Sequence, residues 1–169
     1  MRDKIPKSTV LTIGPGIYRA AIATGVYDHK ENVCQITLRV YDEEHSYSMQ
    51  TIRFPMKNLW WLLNKLCKAV GYDLHKRPVR IHGKDALVGK ELWMATRLYQ
   101  ECNSDGEVII EYVEPFEFYK KVNDSMPSVL GAPHMNNGKY FGDFNKQIMY
   151  KGKTDVLHEM PKPKQLFDE

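Results

Sequence analysis

Hydrophobic and polar positions alternate most cleanly over residues 33–41. Cys34, Ile36, Leu38 and Val40 fall on one side, and Gln35, Thr37, Arg39 and Tyr41 on the other. A period of two with this β-branched content predicts a half-buried strand. A strand is also predicted over 17–27, where Tyr18, Ala20 and Ile22 alternate with Ile17, Arg19 and Ala21 behind the turn signal Gly14-Pro15-Gly16. The polar turn 28–32 separates the two. Asp42-Glu43-Glu44 predicts a hairpin turn into a third strand over 46–54, ended by Pro55. Its pattern is blurred. Tyr47, Met49 and Arg53 share one parity while Ile52 and Phe54 share the other, which leaves Tyr47 or Met49 as core candidates.

The period then lengthens. Leu59, Leu62, Leu63, Leu66 and Val70 form one stripe at helical spacing, predicting a helix over 58–70 with Asn58 as N-cap and Gly71 as C-cap. Trp61, Asn64, Lys65 and Lys68 occupy its other face. After a basic connection over 72–84, a fourth strand is predicted over 87–100. Leu92, Met94, Thr96 and Leu98 lie on one face, with Trp93, Ala95, Arg97 and Tyr99 on the other. Asn103-Ser104-Asp105-Gly106 is a hairpin signal, followed by a fifth strand over 107–113 with Pro115 near its end. From residue 120 the pattern dissolves into Gly, Pro, Asn and Lys, with at most one short element near 140–150. The organisation expected is a flexible lead over 1–12, one domain over 13–119 and a C-terminal tail over 120–169.

Strand, strand, strand, helix, strand, strand is the order of an OB-fold, a five-stranded Greek-key barrel. The predicted fold is therefore mainly β: an OB-fold-like barrel with one α-helix between strands 3 and 4, plus an irregular tail. A half-open sheet with one packed helix would read the same way.

Composition narrows this little. At 169 residues, with 43% hydrophobic and 27% charged positions, the chain suits one globular domain with appendages. A net charge of +3 diagnoses no partner. Cys34, Cys67 and Cys102 are widely separated, form no CxxC pair and are odd in number. With no apolar h-region at the N-terminus, they predict reduced thiols in a cytoplasm. The apolar stretch near 59–63 is far too short to span a bilayer, so no membrane association is expected.

Several runs resemble small phage-encoded proteins found beside recombination and replication genes. Gly14-Pro15-Gly16-Ile17-Tyr18-Arg19-Ala20 is similar to that family's G-x-Y-x-A opening strand, and 35–41 to its second strand. Trp60-Trp61-Leu62-Leu63 with Lys68-Ala69-Val70-Gly71 resembles its helix, and Leu87-Val88-Gly89-Lys90-Glu91-Leu92 its L-x-G-K-x-L step into the fourth strand. The resemblance covers 13–118 and leaves the tail unmatched. It implies an OB-like fold and single-stranded DNA binding, with no catalytic residues and no cofactor.

Three groups of residues carry the functional expectation. Trp93, Arg97 and Tyr99 share the outer face of the fourth strand, where aromatics stack on bases and Arg adds cation–π and phosphate attraction. The alternative is that Trp93 and Tyr99 pack under the tail or in a dimer interface. Arg39 and Tyr41, with Tyr47, Met49 and Arg53, form a similar set on strands that commonly contribute to OB-fold binding faces. Lys76, Arg77, Arg80 and Lys84 form the densest basic run, able to track phosphates or simply to remain solvated. Residues 101–117 hold six acids and neither Lys nor Arg, so that side should face away from nucleic acid.

Catalysis finds little support. The histidines show no HxxxH or HxH spacing, and neither a P-loop nor GxGxxG occurs. Cys34 and Cys67 lie on apolar stripes as core thiols. The expected function is sequence-tolerant single-stranded DNA binding in phage-type replication or recombination. Replication or recombination proteins are candidate partners through the tail, whose end Leu166-Phe167-Asp168-Glu169 faintly resembles partner-recruiting acidic tips, and a homo-oligomer is a further candidate. The rival is a protein-interaction or structural module on the same barrel; a metal-dependent nuclease is a third reading.

Overall fold

A computed structural model describes residues 11–41, 46–121, 146–148 and 166–167. The strands are β1 (Gly16–Asp28), β2 (Val33–Tyr41), β3 (Tyr47–Pro55), β4 (Glu91–Cys102), β5 (Val108–Lys120) and β6 (Lys146–Ile148), with α1 (Trp60–Ala69) between β3 and β4. Five strands form one antiparallel sheet in the order β3-β2-β1-β4-β5, and β6 runs parallel to β4 at residues 98–100. The sheet curls into a half-barrel and the protein is mainly β, the OB-like arrangement that the element order predicts.

The curl has a local cause. β1 pairs with β4 over Gly16–Ala21, continued at Ile22 by hydrogen bonds with Gly89 and Lys90, and with β2 over Arg19–Asp28, so main chain pairs along both edges only at residues 19–22. A register shift between Ile22 and Thr24 bends the strand and reverses which side chains face inward. Tyr18, Ala20 and Ile22 enter the core before it, and the half-buried Tyr27 packs against the core after it. Buried Thr96 pins the start of β1. Its hydroxyl accepts from the Gly16 N–H (2.9 Å) and donates toward the Gly14 and Gly16 carbonyls (3.1 and 3.2 Å). Tyr18 donates its phenol to the same Gly14 oxygen at 2.7 Å.

The concave side receives Cys34, Ile36, Leu38 and Val40 from β2, as their alternation predicts, with Ile52 and Phe54 from β3 and Leu92 and Met94 from β4. α1 covers them with Leu59, Leu62, Leu63 and Leu66. The helix begins later than predicted. Leu59, not Asn58, holds the N-cap position, no side chain caps it, and the Asn58 Oδ1 is buried without a partner. Its C-terminal end matches expectation. Gly71 adopts φ +81°, its N–H bonds to Lys68 O, and the Tyr72 N–H bonds to Cys67 O, the paired closure of a Schellman motif. Asn64, expected on the outer face, is fully buried because α1 also packs on β5, where Lys65 reaches Glu117 at 3.2 Å.

Both strands after the helix differ in length from the sequence reading. β4 starts at Glu91 because 87–90 form a turn around Gly89 at φ +94°. β5 continues through Pro115 to Lys120. Proline is tolerated there because it sits on the edge strand, opposite Thr96 at a register irregularity. Among the described residues no strand pair joins β3 to β5. Residues of the predicted lead reach across that seam instead: the Leu11 N–H bonds to Val113 O (3.2 Å), and Thr12 exchanges two hydrogen bonds with the Gln50 amide (2.9 and 2.8 Å). Among the described residues no helix is long and apolar enough to cross a membrane.

Two outcomes follow from the core. Among the described residues neither polar atom of the Asn64 amide finds a partner, and an unsatisfied buried amide costs folding free energy, so Asn64→Leu should stabilise the protein by about 1–2 kcal/mol in urea denaturation. Burial also pushes the Cys34 thiol from 9.0 up to about 12 and raises Cys67 further. A thiol that ionises earlier in the unfolded chain leaves stability intact below pH 9 and erodes it as pH climbs toward 12. The loss should approach about 1.4 kcal/mol per pH unit for each thiol. Urea midpoints that stay level through this range would count against burial of both thiols.

Candidate functional site

The two-residue period of β2 and β3 places Gln35, Thr37, Arg39 and Tyr41 beside Arg53, Thr51, Met49 and Tyr47, pair by pair, on the convex side of the sheet. Thr37 and Thr51 join their hydroxyls at 2.9 Å. Tyr47 is 58% exposed and Met49 50%, so neither belongs to the core. What blurs the sequence pattern of β3 is Gln50, a polar residue on the buried face, held there by Thr12. Four predicted residues, Arg39, Tyr41, Tyr47 and Arg53, therefore share one face. Arg39 is exposed, and Arg53 is held at 3.3 Å by Glu31 from the turn after β1.

Cross-strand register extends this face in a way no single strand reveals. Tyr47 lies opposite Tyr41, Tyr41 opposite Arg19, Arg19 opposite Trp93 and Trp93 opposite Tyr119, a row across all five main strands. The Tyr41 and Tyr47 rings meet edge-on at 5.9 Å, and the Arg19 guanidinium sits 4.6 Å above the Tyr41 ring. Arg19 thus holds Tyr41 from the side opposite Tyr47. Sequence parity places Arg19 on the outer face but carries no register, so its partnership with Tyr41 was not legible.

Accessibility falls along this row. Tyr47 is open, Tyr41 is half-buried and Trp93 is 3% exposed, packed with Ile17, Ala95, Phe116 and Tyr119. The expectation that Trp93 offers its ring to a base is corrected: β5 runs past Pro115 and brings Phe116 and Tyr119 against the indole. Arg97 is corrected likewise. Its Nε lies 3.1 Å from Oε1 of Glu114, a fully buried carboxylate, and its guanidinium sits 5.0 Å from the Phe116 ring centre. It neutralises an internal charge. The Tyr99 side chain lies outside the described residues, as does most of the tail, including the element expected near 140–150 apart from β6. Burial and nearby Glu117 push the Tyr119 phenol up to about 12.

The basic run has definite structure. Lys76, Arg77, Arg80 and Lys84 are exposed, but the backbone between them is anchored by buried Tyr72, Leu74 and Val79. The Tyr72 hydroxyl donates to Pro78 O and accepts from the Arg80 N–H (2.7 Å), and its ring carries Arg77 at 4.1 Å. Leu87 and Val88 donate back to Arg80 O and Ile81 O. His82 Nε2 lies 2.9 Å from Gly25 O, which sets the segment along the edge of β1 opposite β2. Gly25 lets the two approach closely: a Cβ would stand 2.8 Å from the tip of Ile36 and 3.1 Å from both Gln35 O and Ile81. Across this end of the sheet the order is β3, β2, β1, basic segment. Part of the acidic run on the far side is already paired internally, Glu114 with Arg97 and Glu117 with Lys65.

These environments separate structural from surface roles. Trp93→Ala should cost about 3–5 kcal/mol of stability, and Arg97→Ala a comparable amount by stranding the Glu114 charge. Tyr47→Ala should stay within about 0.5 kcal/mol of wild type. Thermal melts of the three variants check the ordering, and a neutral Trp93→Ala would overturn it. No protein-family model matches this chain and no curated protein matches it, so its own residues carry the functional argument.

Proposed function

We propose that this protein binds single-stranded DNA without sequence preference, in the setting of phage-type replication or recombination. The observation that carries the reading is the open convex face of β2 and β3, where Tyr47, Tyr41 and Arg39 stand together. It continues across β1 toward an ordered segment bearing four exposed cations. Stacking on tyrosine is indifferent to base identity because every base has a π-face. Arg39 makes no ion pair among the described residues and is available to a phosphate. Lys76, Arg77, Arg80 and Lys84 add salt-sensitive attraction. No chemistry is required of any residue. The likeness of the opening strand, helix and L-x-G-K-x-L step to phage-encoded recombination-associated proteins supports the same setting.

A second reading has its own observation. Val108 and Ile109 are adjacent, 48% and 59% exposed, and lie in the acidic run away from the Tyr47 face. Such a pair suits a protein partner.

Fluorescence anisotropy with labelled oligo-dT at low and high salt tests the proposal. Tyr47→Ala should weaken binding by about 1–3 kcal/mol. Arg39→Ala should flatten the dependence of log K on log salt by about 0.7. Absence of binding at low salt would refute nucleic-acid binding and leave the protein-interaction reading.

A further inference from the structure

We propose that the groove between β1 and the basic segment is a peptide-binding site for an extended Leu-Phe pair followed by acidic residues. Its resident ligand is the chain's own Leu166–Phe167. Beside Phe167, which forms part of its wall, the groove keeps an open space of about 340 Å³ lined by Gly25, Val26 and Tyr27 on one side and 79–82 on the other. Beyond Ile22, whose N–H and C=O bond to Lys90 and Gly89, β1 has no strand on its second edge among the described residues, and the basic segment lies there instead, with His82 on Gly25 O.

The occupant is held in two ways. Val79 donates its N–H to Leu166 O and forms a parallel bridge with Phe167, the main-chain recognition of an added strand. The Phe167 ring lies flat on Tyr27, with centroids 3.9 Å apart and planes 11° from parallel. Main-chain pairing accepts any extended sequence, whereas the stack selects an aromatic ring. Leu166 and Phe167 are both buried by the contact. Charge favours the same ligand: Arg80 lines the groove, and Asp168 and Glu169 follow Phe167 directly in sequence. Sequence proximity does not explain the contact, because Val79 and Phe167 are distant along the chain.

The site also bears on the proposed function. Val79 lies between Arg77 and Arg80 on the backbone that Tyr72 organises, so a filled groove fixes the spacing of those cations.

Hydrogen exchange and peptide binding test the site without DNA. In the full-length wild-type chain the Val79 amide should be protected; rapid exchange there would overturn the proposal regardless of any variant. Phe167→Ala should raise Val79 exchange about tenfold or more. It should also create saturable binding of a fluorescein-labelled peptide spanning 161–169, which wild type, already filled, binds far more weakly. Phe167→Leu, which keeps apolar bulk without the stack, should fall between them and serves if Phe167→Ala fails to fold. Adding Gly25→Val should abolish peptide binding. Unchanged Val79 exchange in a folded variant, or no peptide binding, refutes the groove whatever DNA does. Peptide binding without any oligo-dT binding refutes only the nucleic-acid reading.

Discussion

β1 is flanked by paired main chain along both edges for only four residues, Arg19 to Ile22, and the rest of the architecture follows from where that double pairing stops. On one side of the overlap β1 belongs with β4, on the other with β2. A sheet joined through so short a shared stretch coils rather than lying flat. The coil makes the concave pocket that α1 fills, and it leaves two gaps: one between β3 and β5, the other along β1 beyond Ile22. Each gap is covered by a segment that is not one of the main strands, residues 11–12 in the first and residues 79–82 with Leu166–Phe167 in the second.

The convex surface inherits its character from the same geometry. Near β3 nothing described lies over the sheet, so Tyr47 and Met49 stay open. Toward β5 the long edge strand turns its aromatic residues against the same face and buries Trp93. One row of side chains thus passes from open surface at Tyr47 to core at Trp93 in three steps. Arg19 stands at the midpoint and orients Tyr41, the last ring before the buried indole of Trp93.

How much of this the sequence disclosed depends on which forces are local. β2 and the leucine stripe of α1 were legible because their periods match their faces directly. The blur in β3 came from one buried glutamine whose partner, Thr12, lies 38 positions away. Pro115 falsely shortened β5, since proline reads as a stop unless the strand is known to be an edge. Parity placed Arg39, Tyr41, Arg53, Trp93 and Arg97 on the side of the sheet away from the helix, and left Tyr47 undecided. What parity cannot tell is whether another part of the chain stands in front, and that separated Tyr47 from Trp93. The phage resemblance traced partly to structural needs: the Gly14–Gly16 turn is where Thr96 and Tyr18 converge.

Closing gaps with remote segments has a consequence in time. Leu11 meets Val113, and Val79 meets Phe167, so each closure joins residues about as far apart as a small domain is long. Contacts of such separation form late and slow the folding of β-rich chains. On the ribosome, Leu11 must wait until β5 has been made, and the basic segment emerges long before Phe167 exists to meet it. During that interval the nascent chain carries an unsealed barrel and a half-supported cationic strand. A chaperone or a neighbouring chain would find it most vulnerable then.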